Sequence, residues 1–343
     1  MCVWTAYAGK KEAAPVVYEA LRKTEGYWAG FYTGIASCSE GKLYLKKCCG
    51  HTGTFAEKFN FADLPGNMAI AHSRTASGGL DNRAQPHISS RGLVALHSQG
   101  SVGVFADQRH QYTDVLLKLY AEGCRPRSGG PAENGMKEHP GLTTPDGKQI
   151  SAADVENNAI ESCYMKNGGD VVSALREAAL PLPGEHCSIC LFADKPGLIG
   201  FINMNQRICY AFEDDGVYMG TSMDSLPGAG MEIPGNSIGY VTADGTLHLE
   251  KLGDHKINSF IPDGLAQVVI DYLKENPKSL IAHICDKAVR PHFNKGELDY
   301  HALAIYRVME ELHKAGIVTW EASERPYPST GIPGRGFLWS LKR

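Results

Sequence analysis

Of the 343 residues in this chain, Cys2 carries the greatest chemical potential. Removal of Met1 would leave a residue that holds a thiol and a free α-amine on one atom frame, a nucleophile beside its own base. Such an amine has a pKa of about 7.7–8.0, so part of it is neutral near pH 7 and free to take the thiol proton. The small Cys2 side chain should permit aminopeptidase removal of Met1. Taken alone, Met-Cys more often marks an incidental second residue. The other nine cysteines point elsewhere. Cys187-Ser188-Ile189-Cys190 has CxxC spacing, but no second CxxC or His pair follows at finger distance, and Cys187 to Ala193 reads as a buried strand. Cys48 and Cys49, as strand neighbours, would face opposite ways. Apart from Cys2, the cysteines are expected to pack as small hydrophobes.

The elements that would position Cys2 are mostly strands. Trp28 to Ala36, Lys42 to Cys48, Met68 to His72, Leu93 to His97 and Cys187 to Ala193 are candidates, as are Leu198 to Asn203, Arg207 to Glu213, Val217 to Thr221 and Ser237 to Thr242. Asp214-Asp215-Gly216 and Ala243-Asp244-Gly245 are hairpin signals. Helices are expected near 10–23, 113–122, 152–165 and 169–179. This suits two stacked sheets with helices outside, although another α+β arrangement would fit the pattern too. Gly123 to Ile150 reads as a surface loop with a turn at Pro145-Asp146-Gly147. Beyond Ile261 the pattern changes. Leu265, Val268, Val269 and Tyr272 fall at helical spacing, a second helix is expected from Ser279 to Val289, and a third carries Ala302, Ile305, Met309 and Leu312. Strands at Ile317 to Ala322 and Gly336 to Leu341 close the chain. Three helices and a hairpin suggest a winged-helix-like domain over 261–343, following a domain over 1–260.

Composition sets bounds. Apolar content is 43% and charged content 21%, with a net charge of −4, as in ordinary globular proteins; neither nucleic acid nor an anionic membrane is an expected partner. The near-balanced charge of the last domain favours a structural or protein-contact role over DNA binding. No apolar run is long enough for a transmembrane helix, and Lys10-Lys11-Glu12 interrupts any signal-peptide pattern, so a cytoplasmic location is expected.

Three segments, taken with Cys2, carry a resemblance. These are Glu25-Gly26-Tyr27-Trp28-Ala29-Gly30, then Ala71-His72-Ser73-Arg74-Thr75-Ala76-Ser77-Gly78, then Leu96-His97-Ser98-Gln99-Gly100, with Gly220-Thr221-Ser222-Met223-Asp224 later. Their order and spacing over about 1–255 resemble the class II glutamine amidotransferases. That resemblance implies a four-layer αββα sandwich of the N-terminal-nucleophile type. It also implies attack by Cys2 on the side-chain amide of glutamine, giving a thioester and ammonia. Arg74 would grip the substrate carboxylate bidentately, with Thr75 and Ser77 beside it. Gly100 would give an oxyanion N–H, and Gln99 stands where the family has an asparagine, one methylene longer. Asp114 would hold the α-ammonium. His72 and His97 are expected to pack rather than act as bases, and Tyr27 and Trp28 to form core or pocket wall. Glu25 replaces the family's arginine, Thr75 its tryptophan, and Cys2-Val3-Trp4 its Cys-Gly-Ile.

No metal or organic cofactor is implied. The family feeds ammonia to a synthase, which the roughly 80 residues after 262 are too few to form. The expected partners are therefore glutamine or a related amide and a separate ammonia-accepting subunit, with a homo-oligomer as a further option. Two alternatives stand: an amidase for another amide, and a catalytically silent sensor with a winged-helix output.

Overall fold

The computed structural model describes residues 2–76, 79–102, 109–130, 142–182, 184–254, 261–292, 301–327 and 331–342. β1 (Val3–Gly9) leads into α1 (Ala13–Thr24), then β2 (Tyr32–Ser39), β3 (Lys42–Cys49), α2 (Thr52–Lys58) and β4 (Met68–Arg74). There follow β5 (His87–Ile88), β6 (Val94–Val102), α3 (Arg109–Ala121), a ribbon of β7 (Leu142–Thr143) and β8 (Gln149–Ile150), and the helices α4 (Ala152–Lys166) and α5 (Val171–Ala179). Strands β9 (Gly184–Phe192), β10 (Leu198–Asn203), β11 (Ile208–Glu213), β12 (Gly216–Gly220), β13 (Met231–Ile233), β14 (Ser237–Thr242) and β15 (Leu247–Lys251) complete two antiparallel sheets. One has the order β13-β11-β12-β1-β4-β2-β3 and the other β15-β14-β10-β9-β6-β5.

Side-chain alternation stacks these sheets into four layers. Along β1, Trp4, Ala6 and Ala8 pack against Ile189, Leu191 and Phe201 of the facing sheet. Val3 and Tyr7 point the other way, into a core shared with Val17 and Leu21 of α1. A third core lies beneath α3, α4 and α5, where Leu116, Ile160 and Leu175 meet Leu96, Phe192 and Ile202. Helix, sheet, sheet and helix each bury one apolar face against the next. All ten cysteines are free thiols, and the CxxC pair lies buried in β9. No helix among the described residues is long and apolar enough to cross a membrane.

The last 80 or so residues form α6 (Leu265–Glu275), β16 (Ser279–Leu280), α7 (Ile281–Ile284), α8 (His301–Lys314), β17 (Val318–Pro326) and β18 (Pro333–Leu341), with the sheet order β16-β18-β17. The helix expected from Ser279 instead begins with a two-residue strand, because Ser279 and Leu280 pair with Trp339 and Leu338. Val269, Ile305, Met309, Phe337 and Trp339 join the same core as Leu21 and Tyr27. This module shares a continuous apolar interior with the outer face of the first sheet.

The seam between them is Glu25 to Gly30. Expected as the start of a strand, Trp28 to Phe31 instead follows a single 3-10 turn, Glu25–Tyr27, and the strand begins at Tyr32. β18 explains the irregularity. Arg335 N–H donates to the Gly30 carbonyl at 2.9 Å, which draws the backbone out of the β2 ladder. A Cβ on Gly26 would lie 2.2 Å from the Phe337 ring, and one on Gly30 would lie 2.0 Å from the Arg335 carbonyl. Both glycines are there for close approach. The Tyr27 ring stacks edge-on against Phe337 and Trp339 at 5.7 and 5.1 Å.

Glu25 is wholly buried beneath this seam. Its carboxylate accepts from the Thr52 amide and hydroxyl at 2.9 and 2.7 Å and lies 3.5 Å from Arg335. Burial outweighs these partners and raises its pKa from 4.5 to about 7. A carboxyl raised in the folded state adds stability that is full below 4.5 and lost as pH climbs through 7. The neutral variant Glu25→Gln should therefore gain stability relative to wild type between pH 4.5 and 7, and run parallel to it on either side. Urea unfolding midpoints across that range measure the difference.

Candidate active site

Cys2 lies partly exposed just before β1, the central strand of the seven-stranded sheet. On one side β4 pairs Val3 with Ser73, and continuing that register by one residue sets Cys2 opposite Arg74. β2 brings Tyr32 level with Arg74 from the far side of β4. The Arg74 guanidinium lies 4.9 Å from the Tyr32 ring centre and donates to the Arg83 carbonyl at 3.2 Å, so its fork is held at the strand end by a cation–π contact and a hydrogen bond. Thr75 follows, half-buried.

On the other side, β12 pairs Gly220 with Thr5 and delivers Thr221 to the start of β1. Trp4 N–H donates to the Thr221 hydroxyl oxygen at 3.0 Å, and Thr221 N–H donates to the Trp4 carbonyl at 3.1 Å. The same hydroxyl donates to the Gln99 side-chain carbonyl at 3.1 Å. One oxygen thus joins the nucleophile's strand to Gln99, which comes from β6 of the opposite sheet. Gln99 is 1% exposed, and its Nε2 has no hydrogen-bond partner among the described residues. The extra methylene relative to asparagine is taken up inside the sandwich. Thr221 occupies the carbonyl end, and among the described residues nothing takes the N–H end.

Gly100 has φ +116°, and a Cβ there would lie 2.1 Å from the Glu185 carbonyl. Only glycine fits both the backbone conformation and the approach of β9. Behind it lies a buried polar network that the sequence did not announce. Glu156 of α4 accepts from Ser98 at 2.5 Å, from Ser188 at 2.7 Å and from His186 at 3.0 Å, while Gln85 accepts from the Ser98 amide at 2.7 Å. Burial alone would raise the Glu156 pKa, but the His186 charge and these hydrogen bonds outweigh it and hold it low. The network ties the last residues of β6 to α4.

His72 and His97 are fully buried, with ring centres 5.2 Å apart, and Trp4 lies 5.2 Å from His97. Burial lowers both, His97 to about 3; at His72 the Arg74 charge, and the repulsion that protonating His97 as well would bring, add to the effect. Neither imidazole is charged near neutrality. Cys187, opposite Gln99 on β9, is a buried thiol whose pKa burial drives up. It is not a rival nucleophile.

The structure thus sets Arg74 at the strand end beside Cys2, with Thr75 following it, and ties Gln99, through Thr221, to Trp4 two residues along from Cys2; Gly100 follows Gln99 on β6. Ser77 lies outside the described residues. Asp114 is exposed on α3, the helix that packs on α4 at the opposite face of the sandwich. Thr221 is the addition. It stood in the quoted Gly220-Thr221-Ser222 stretch, but its role depends on a residue 122 positions away.

Two sheets between helical layers, with a cysteine leading the central strand, make this the fold of the class II glutamine amidotransferases. The solved glutamine phosphoribosylpyrophosphate amidotransferase of B. subtilis superposes with TM-score 0.56 at 13% identity, over 94% of this chain and 66% of that one. The solved allosteric regulatory enzyme of purine biosynthesis gives TM-score 0.57 at 15% identity, over 99% and 71%. In sequence the chain is related to the isomerizing glutamine–fructose-6-phosphate aminotransferases. That of Pyrococcus horikoshii is 30% identical over 198 residues, 57% of this chain and 28% of that one. That of Caldanaerobacter subterraneus subsp. tengcongensis is 27% identical over 203 residues, 58% and 28%. The chain thus matches well under half the length of these relatives. No family model matches it.

Thr221→Val keeps the shape and removes the hydroxyl, stranding the buried Trp4 N–H and the Gln99 carbonyl. It should cost about 1–3 kcal/mol of unfolding free energy, the usual penalty for unpaired buried polar groups, measured by chemical denaturation.

Proposed function

We propose that this chain hydrolyses the side-chain amide of glutamine through a Cys2 thioester, releasing ammonia. The observation that carries this reading is the Gln99 amide: its carbonyl is held by Thr221, and its buried N–H group has no partner among the described residues. An unpaired buried donor costs stability unless something charged or polar arrives to meet it. An oxyanion formed on a carbonyl attacked by Cys2 would be such a group, and a donor fixed before the reaction loses nothing to reorganisation.

The steps follow from the groups present. With Met1 removed, the Cys2 amine takes the thiol proton through a water, and the thiolate attacks the amide carbon. The tetrahedral oxygen takes hydrogen bonds from Gln99 Nε2 and the Gly100 N–H. Collapse breaks the C–N bond, and the protonated amine hands its proton to the departing nitrogen, which leaves as ammonia. Water then attacks the thioester with the amine again acting as base; the C–S bond breaks, the amine returns its proton to the Cys2 sulfur, and glutamate is released. Arg74 holds the substrate carboxylate bidentately, with Thr75 beside it; Asp114, exposed on the far helical layer, takes no part in this reading. Ammonia passes to an acceptor on a separate subunit or escapes to solvent.

We also read residues 261–343 as a winged-helix-like domain. Its order of helix, short strand, two helices and hairpin supports that reading. A DNA-reading output is disfavoured, because α8, the third helix, buries Ala304, Ile305 and Met309 against the rest of the chain.

Protein shown by intact mass to lack Met1 should release glutamate from glutamine, and Cys2→Ala should abolish release. Absence of release from correctly processed protein would overturn the glutamine assignment. In the active protein, Gln99→Leu should lower kcat by about 100- to 1,000-fold, the usual cost of losing one oxyanion donor, as read in steady-state kinetics.

A further inference from the structure

The C-terminal module touches the site at two places. At the tip of its hairpin, the Tyr327 hydroxyl is hydrogen-bonded to that of Tyr32, the residue whose ring carries Arg74. At the other, Glu310 of α8 accepts from the Ser222 hydroxyl and from the Met223 N–H at 3.1 Å, and pairs with Arg207. Ser222 follows Thr221, so Glu310 anchors α8 one residue from the group that orients Gln99.

One helical turn before Glu310, on the same face of α8, stands Tyr306. It is 1% exposed, and its ring centre lies 6.1 Å from that of Tyr27 and 6.0 Å from that of Trp28. Its hydroxyl has no hydrogen-bond partner among the described residues. Tyrosine hydroxyls buried this deeply usually find one, and a phenylalanine would fill the same space without the penalty. Burial holds the phenol well above its usual value, and any negative charge at Cys2 would add to the effect, so it remains an O–H donor throughout the neutral range.

We propose that Tyr306 contacts the substrate of the Cys2 pocket, its hydroxyl donating a hydrogen bond to the bound amino acid amide, so that the C-terminal module completes the site. This rests on the reading of Cys2 as the nucleophile of an amide hydrolysis. The vacant partner of the hydroxyl is then the substrate itself. The hydrogen bond is present in both the Michaelis complex and the transition state, so it acts on binding.

The test is Tyr306→Phe in the full-length, Met1-free protein, with glutamine kinetics and a thermal melt on the same preparation. The expected result is a kcat/KM about tenfold lower, with the change in KM, and a Tm equal to or above that of wild type. An unchanged kcat/KM at intact Tm would overturn the proposal. So would a fall in Tm that accounts for the lost activity, which marks a purely structural tyrosine, or a loss confined to kcat. A wild-type protein inert towards glutamine would overturn the functional reading and this inference with it. An active wild type beside an unaffected variant overturns the inference alone.

Discussion

The nucleophile proposed at the second residue would impose one demand above all others: a terminal strand, the kind of segment that ordinarily frays, must be held still. Here the demand is met by putting β1 at the centre of a sheet. Its backbone is paired on both sides, to β4 and β12, and Trp4 is driven between the sheets against His97. Truncating a buried tryptophan typically costs about 3–5 kcal/mol, so this one side chain is a large share of what keeps the terminus in register. Everything at the site refers back to that strand. Arg74 is placed by β4, Thr221 by β12, and Gln99 is aligned through Thr221 from the opposite sheet.

Departures from the family pattern become intelligible once the C-terminal module is considered. Glu25, where the family has an arginine, lies beneath Arg335 of β18. Gly26 and Gly30 leave room for Phe337 and the Arg335 backbone. The Glu25 to Gly30 segment is thus the seat of the last hairpin as much as a neighbour of the site. The end of the chain packs on this segment, and two of its charged residues, Glu310 and Arg307, form ion pairs with Arg207 and Glu232.

Much of this was legible in the sequence. Leu198 to Asn203 and Ser237 to Thr242 coincide with β10 and β14, and the Asp-Gly hairpins fall where expected, because turn chemistry and apolar runs are local signals. β1 was not among the expected strands: buried on both faces, Val3 to Gly9 shows no alternation of polar and apolar residues. The short helix α2 also went unread; at seven residues, containing Gly53 and Thr54, it owes its existence to packing of Phe55 and to Glu25 accepting at its first amide. Cys2, Arg74 and Gly100 could be proposed for the site from the sequence because the chemistry expected of them lies in the residue type. Thr221 and the Glu156 network were not, since each is tied to partners 30 to 122 positions away that only the folded chain brings near; nor does anything local mark the burial of Tyr306.

The central claim is that Cys2 forms a covalent acyl intermediate on this scaffold. Met1-free protein mixed with glutamine, quenched in acid within a turnover and digested, would show it directly by mass spectrometry. The account predicts a γ-glutamyl adduct on the N-terminal peptide, carried by the Cys2 sulfur and lost on treatment with hydroxylamine. Glutamate release with no adduct on Cys2, or an adduct on any other cysteine, would contradict it.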